Sequence, residues 1–431
     1  MCYCQYFKIG SNIFRLQERL ISLPSAPKTY SEINCCSACG SNSLKLVYDF
    51  GECPLAGYFP EPGKASNDNL ISMKLVICAA CDLVQITPNV DDNFLFSNYR
   101  YISSVGMANH FESLVFWLIQ NHYINKDSKI LEIGSNDGTL LLQLKKHGFD
   151  AYGVDPAANV NDIARSKGLN VITGFFSMRT LDDLNLRNKF NLIISCNSFA
   201  HISEIKNVAQ GVSGALTDDG LFVVEVQSLA ALVDKKAFDF IYHEHKFYYS
   251  VKSLNNLMES VGLYMTGGCL IDTHGGSIRL VFSKIKNSIS ASLSNILESE
   301  DQNKLTPKTI ELAISDFMVQ VSAVKEVLIA EKTAGRNLIG FGASGRGNML
   351  LHHLKIDDLI EVVYDESELR IGRQMAFSNI KVGRFSELEA ESYNSCLVLA
   401  WNYSESIVAK WPHKDKNLII PFPAIRTVTI K

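Results

Sequence analysis

Apolar residues fall in short blocks along most of this chain, and the spacing within them switches repeatedly between strand-like and helix-like. Apolar runs at 129–133, 151–154, 170–172, 191–195 and 220–226 predict strands, with helices in between. That order predicts a doubly wound, largely parallel sheet. Upstream, Phe111, Leu114 and Leu118 have helical spacing within 107–123 and lead into it. Earlier still, 44–50 and 73–77 predict strands, separated by a Pro/Gly-rich loop at 54–63. Downstream, 250–262 predicts a helix, 270–282 a strand, glycine turn and returning strand, and 288–332 a polar helical bridge. A second strand–glycine loop–helix unit starts at 337, with a helix at 348–354 and a next strand ending in Asp365. Strands near 396–400 and 417–420, with a helix between them, complete it. The first 34 residues lack this regularity, although 12–23 predicts a short amphipathic helix.

The blocks divide the chain into a loosely ordered extension (1–34), a small cysteine-bearing domain (35–105) and an α/β domain (106–285). A helical bridge (286–335) and a second, smaller doubly wound α/β domain (336–431) follow. At 431 residues, with 47% apolar and 20% charged residues, the expected class is a soluble α/β protein with more than one core. A net charge of −4 offers no sequence-independent grip on nucleic acid, so no nucleic-acid partner is expected. No apolar run is long enough to span a bilayer, and the start of the chain lacks a signal peptide's apolar centre. A cytoplasmic monomer with no membrane partner is the expectation.

Four of the eleven cysteines form two Cys-x-x-Cys pairs, Cys36/Cys39 and Cys78/Cys81. Two such knuckles suit a tetrahedral zinc ion, and with all four positions closed by thiolates the metal would be structural. The stretch Lys129-Ile-Leu-Glu132-Ile-Gly134-Ser-Asn136-Asp137-Gly138 runs from a strand through a glycine-flanked turn into a helix. Gly134 and Gly138 allow a sharp bend and close approach of a ligand. Asp155, ending the next strand, would reach the crevice where a ribose diol sits. The pattern Glu-x-Gly-x-x-x-Gly resembles the S-adenosylmethionine (SAM) motif of class I methyltransferases. Gly174 and Phe175 after the third strand would flank an adenine, and Asn197 and His201 follow the fourth.

Tyr242-His243-Glu244-His245 opens a dense set of groups able to hold or move protons. Tyr99 and Tyr101 lie in an aromatic linker. Arg279, after the glycine turn, suits a phosphate or a carboxylate. In the second unit, Gly342, Ser344, Gly345 and Arg346 form a Gly-x-Gly-x-x-Gly loop at a helix start, a phosphate-binding arrangement, with Asp365 beyond it. That loop alone is compatible with NAD.

Taken in this order, residues 36 to about 425 resemble the sugar C-methyltransferases that act on nucleotide-linked 4-keto deoxysugars. The resemblance implies a zinc-binding N-terminal domain, a SAM-dependent middle domain and a Rossmann-like C-terminal domain holding the nucleotide. It places the family's Tyr-x-Glu-His motif at Tyr242, Glu244 and His245, its histidine at His201, and its early tyrosine at Tyr99 or Tyr101. The implied chemistry is removal of the C3 proton beside a C4 ketone by His245, followed by methyl transfer. Departures are Arg370-Ile-Gly372 for the family's Lys-Gln-Gly, Ala376-Phe377 for its Pro-Gly, and Gly106 for a serine. The competing readings are a zinc-ribbon methyltransferase acting on RNA or protein, a two-cofactor enzyme with NAD, and a binding protein on the same fold.

Overall fold

In the computed structural model, residues 4–9, 12–17, 30–64, 70–96, 99, 101–104, 106–303 and 305–431 are described. A seven-stranded sheet forms the middle of the molecule. Its parallel part runs Asn170–Thr173, Asp150–Asp155, Lys129–Ile133, Phe190–Cys196 and Leu216–Gln227 in spatial order. Ser277–Ser283 and Tyr264–Ile271 close it as an antiparallel edge. Ile130, Leu131, Leu192, Ile193 and Ile194 are buried because helices cover both faces, which is why these strands read as continuous apolar runs. Strand order reverses between Lys129–Ile133 and Phe190–Cys196, so a crevice opens beyond their C-terminal ends.

The C-terminal sheet repeats the plan, with parallel strands Lys381–Arg384, Val362–Asp365, Leu338–Phe341, Ser395–Val398 and Asn417–Ile420 in spatial order. Arg426–Thr429 adds an antiparallel edge. Its reversal lies between Leu338–Phe341 and Ser395–Val398, directly at the Gly-x-Gly loop.

Leu44–Cys53, Ile71–Cys78 and Val84–Thr87 form the small N-terminal sheet, and a fourth strand, Phe247–Tyr248, comes from the middle of the chain. The segment that carries the His-Glu-His cluster is thus fastened into the cysteine-bearing domain. The helix Pro307–Thr333 starts at a Thr306 capping box with proline at its first position. It buries Ile310, Ile314, Phe317, Val321, Val324 and Leu328 along one face. They join one core with Met73 and Leu75 of the small sheet and with the C-terminal sheet. The expected polar bridge is therefore an amphipathic layer. Each large apolar side chain buried there contributes about 1.5–3 kcal/mol.

Two expectations change at this level. Asn12–Gln17 is a strand paired with Cys4–Ile9, not the start of a helix, and 18–23 lie outside the described residues. Local periodicity carries no information about a pairing partner. The returning hairpin begins at Tyr264, upstream of the expected 270.

Candidate active site

The two crevices and the small domain enclose one cleft of about 1590 Å³. On its middle-domain wall, Asn136 and Asn197 both adopt left-handed backbone at φ +49° and +55°, in turns that follow adjacent strands. Asparagine adopts this conformation more readily than other non-glycine residues, which suits both positions to tight turns. The Asn136 side chain fastens the aromatic linker over the crevice, accepting from the Ser103 amide at 3.0 Å and donating to the Tyr101 carbonyl at 3.1 Å. Asn159 donates to the Tyr99 carbonyl at 2.7 Å. Asp155 accepts from the amides of Asn136 and Ala157, both at 2.9 Å. Burial nevertheless pushes its pKa up to about 6. Glu132 is buried with Oε2 unpartnered among the described residues, and burial and then the charges of Asp155 and Asp137 hold its pKa well above the usual range. Above about pH 6 the Asp155 carboxylate alone gives this crevice its negative charge.

Gly134, Asn136, Asp155, Gly174, Phe175 and Asn197 line the cleft, whereas Glu132, Asp137 and Gly138 do not. Asp137 is taken up by Thr139 (2.6 Å) and Lys167 (3.2 Å). Gly138, at φ +75°, is required because a Cβ would come 2.4 Å from Leu169 Cδ1. At Gly134 the clash would be with Ser198 Cβ at 2.3 Å. Both glycines thus serve contacts inside the protein, so the close-approach argument does not apply to Gly138.

The His-Glu-His segment faces this wall. His245 Nδ1 lies 3.1 Å from the Phe240 carbonyl, so Nδ1 carries the hydrogen and Nε2 the lone pair. Nε2 accepts from the Tyr242 hydroxyl at 2.9 Å. The rings of His245 and His201 meet edge-on with centroids 4.6 Å apart. Burial, then the neighbouring His201, holds the His245 pKa well below the usual imidazole value. His201 is pushed down to about 4 by burial and by Lys246, and its Nδ1 has no partner among the described residues. Glu244 accepts from the Gly57 amide at 2.5 Å, while its other oxygen is buried and unpartnered among the described residues. Burial raises its pKa. His243 points away, to the Ile71 carbonyl at 3.1 Å, and is structural. Tyr99 and Tyr101 both line the cleft, but the ring that bridges Phe175 and His201 is Phe96, at 6.4 and 6.3 Å.

Lys246, next to His245, was not anticipated as a site residue. Buried, it donates to the Val90 carbonyl at 2.7 Å and also bonds Asp92 and Ser203. It locks the segment between two domains, and its place beside the motif was the available signal.

Gly342, Ser344, Gly345, Arg346 and Asp365 line the C-terminal wall. The Arg346 guanidinium is already engaged by both carboxylate oxygens of Asp239, at 2.8 and 3.2 Å, and Trp401 donates to the same carboxylate at 2.8 Å. No sequence signal links Asp239 to a residue more than a hundred positions away. Asp365 accepts from the Ser367 amide at 2.7 Å and faces Arg370 at 3.4 Å. Arg370 and Arg373 also line this wall. Arg279 is absent from the cleft: it forms a buried ion pair with Glu225 at 2.8 Å, which corrects its assignment to substrate and leaves the carboxylate alternative.

At the far end of the small domain, Cys36, Cys39, Cys78 and Cys81 bring four sulfurs within 4.8 Å of one another. The Cys36–Cys81 and Cys39–Cys78 pairs are 3.6 Å apart. Tetrahedral ligands on bonds of about 2.3 Å stand about 3.8 Å apart, so the donor set fits zinc with no open position. Cys35 is exposed and outside the cluster.

Three family profiles match the chain in succession: a zinc-binding domain over 36–96, a methyltransferase domain over 106–266, and a C-methyltransferase C-terminal domain over 272–423. The C-methyltransferase NovU of Streptomyces niveus is 29% identical over 91% of this chain and 96% of its own length. The chain is a SAM-dependent methyltransferase, similar to this C-methyltransferase along nearly its whole length. An uncharacterized methyltransferase of Staphylococcus carnosus shares 30% identity over 23% of this chain and 46% of its own. The PH0226 protein of Pyrococcus horikoshii, a solved structure, is 19% identical, covering 44% of this chain and 97% of its own with a TM-score of 0.36. The chain combines a SAM-dependent methyltransferase fold with a Cys4 zinc-binding domain. No helix among the described residues is long and apolar enough to cross a membrane.

Proposed function

We propose that the enzyme methylates a carbon beside the ketone, C3, of a nucleotide-diphosphate-linked 4-keto deoxysugar. The observation that carries this reading is the neutral Tyr242–His245 pair, with Nδ1 fixed by Phe240, in a cleft whose opposite walls are an anionic crevice and an arginine-bearing glycine loop. Bound SAM supplies an electrophilic methyl group for the carbon that has lost its proton.

The protein's own groups do the rest. The Tyr242 oxygen takes the proton from the acidic carbon as the Tyr242 hydroxyl hydrogen passes to His245 Nε2, which the depressed imidazole pKa keeps unprotonated at neutral pH. Glu244 and His201, each with an unpartnered buried atom, orient the sugar or hydrogen-bond the developing oxyanion. Asp155, ionised above about pH 6 at the end of its strand, accepts from the ribose hydroxyls of the donor. On the other wall the helix Gly345–Leu354, capped by Ser344, presents its N-terminus to the diphosphate, with Arg370 and Arg373 beside it. The small-molecule partner enters a cleft that is open to solvent, and zinc takes no part in the reaction.

The test is incubation with methyl-labelled SAM and dTDP-, GDP- and CDP-linked 4-keto sugars. Label in a carbon-bound methyl of one of them is expected. Tight SAM binding with no transfer to any keto-sugar overturns the reading.

A further inference from the structure

Gln227 ends the longest strand of the middle sheet and lines the cleft, yet neither its Nε2 nor its Oε1 has a hydrogen-bond partner among the described residues. It is only 8% exposed. A buried carboxamide with both functions unmet is costly, and such groups persist where a ligand completes them. Glu225, two residues earlier and so on the same face of the strand, provides the contrast. Its oxygens are taken by His110 at 2.5 Å and Arg279 at 2.8 Å. Gln227 lies past the last residue of the neighbouring parallel strand, which stops at Cys196 opposite Glu225. On its other side the chain turns back through Gly276, whose carbonyl accepts from the Ser228 amide at 3.1 Å. His274 in that turn, at φ +56°, meets the Tyr403 hydroxyl at 3.4 Å and joins this wall to the C-terminal domain. Phe240, whose carbonyl fixes His245, has its ring 6.4 Å from that of His274.

A carboxamide presents a donor and an acceptor side by side. Its complement is an acceptor beside a donor, which a carbonyl flanked by a hydroxyl supplies and an isolated ketone does not. We infer that Gln227 is a substrate-binding residue that grips the α-hydroxy ketone edge of the acceptor, its N–H on the keto oxygen and its carbonyl on the neighbouring hydroxyl. This rests on the keto-sugar reading given above. On enolisation the C–H electron pair becomes the new C=C bond, the carbonyl π pair moves to oxygen, and the proton leaves to the Tyr242–His245 pair. The Gln227 N–H then faces the atom on which charge develops, the geometry of an oxyanion donor.

The experiment compares the wild-type enzyme with Gln227→Leu and Gln227→Glu, using a dTDP-linked 4-keto-6-deoxy sugar with and without its 3-hydroxyl. Three quantities are read: SAM affinity by calorimetry, exchange of the sugar's α-proton with deuterated solvent, and kcat against KM for methyl transfer. Gln227→Leu is expected to lower exchange and kcat by about 100-fold, the scale of losing one oxyanion donor. SAM affinity should stay within about two-fold, on the view that the amide touches substrate alone. The preference for the 3-hydroxyl substrate should also disappear, and Gln227→Glu should lose the donor effect as well. Wild-type-like exchange and turnover in Gln227→Leu, or a loss of SAM affinity as large as the loss of turnover, overturns the inference. If the wild-type enzyme itself neither exchanges nor methylates any keto-sugar, the functional reading falls and this inference with it.

Discussion

The chain contains the same supersecondary unit twice, and the two copies have opposite electrostatic character. Each is a strand, a glycine turn, a helix and a second strand ending in aspartate, and each sits where its sheet reverses order. In the middle domain the Asp155 carboxylate is met by two backbone amides, with no cationic side chain opposite it among the described residues. In the C-terminal domain Asp365 faces Arg370, and Arg373 lines the same wall. One crevice therefore favours a cation and the other an anion. The motif determines where a ligand can sit, and the surrounding charges determine its sign.

The comparison breaks most completely if the shared wall is removed. The zinc-binding domain contributes the loop residue Gly57 to Glu244, and its sheet pairs with Phe247–Tyr248, so both crevices depend on it. Chelation, or Cys78→Ser, forfeits a metal contribution of order 10 kcal/mol in apparent terms. Loss of SAM binding and of turnover together is expected, read by calorimetry before and after zinc is restored.

Next in size is the ion pair that fastens one unit to the other. Asp239→Ala strands the buried Arg346 and should cost about 3–5 kcal/mol, seen as a lower denaturation midpoint. Trp401, which donates to the same carboxylate, should report the change in fluorescence.

Acid comes third. His201, His243 and His274 have folded pKa values near 4 and His353 near 3, against about 6.5 unfolded. Between those limits the unfolded chain binds more protons, so stability is full above pH 6.5 and is lost as pH falls towards 4. Asp155, Glu132, Glu244, Glu300 and Asp365 work in the opposite sense, their raised pKa values favouring the folded state as pH falls, and so offset part of the imidazole loss. A melting temperature that falls gradually, not steeply, from pH 6.5 to 4.5 is expected.

The finest test separates the crevices. Asp155→Asn should weaken SAM binding by roughly ten-fold or more, on the scale of about 1.5–3 kcal/mol for a charged hydrogen bond, and Asp365→Asn should leave it unchanged. The reverse pattern is expected for a nucleoside diphosphate probe. Equal effects on both ligands would remove the distinction between the two units.

Much of this plan was legible in the sequence. Buried parallel strands such as Leu192–Ile194 carry their own signal, the cysteine knuckles meet in one four-sulfur cluster, and Tyr242, Glu244 and His245 line the cleft while His243 does not. What could not be read depended on partners distant along the chain. The Phe247–Tyr248 strand joins a sheet made of residues before 90, and Arg346 is claimed by Asp239. The Asn12–Gln17 strand takes its identity from Cys4–Ile9. Asp137, Gly138 and Arg279 follow from the same limit, since a polar or glycine residue in a motif looks alike whether it meets a ligand or a neighbouring side chain.

The most direct measurement is methyl transfer by His245→Ala beside SAM affinity in the same variant. Loss of the proposed base should lower kcat by about 10²–10⁴-fold, with SAM bound as tightly as in the wild type. Turnover close to wild type in that variant would contradict the placement of the base where the two crevices meet.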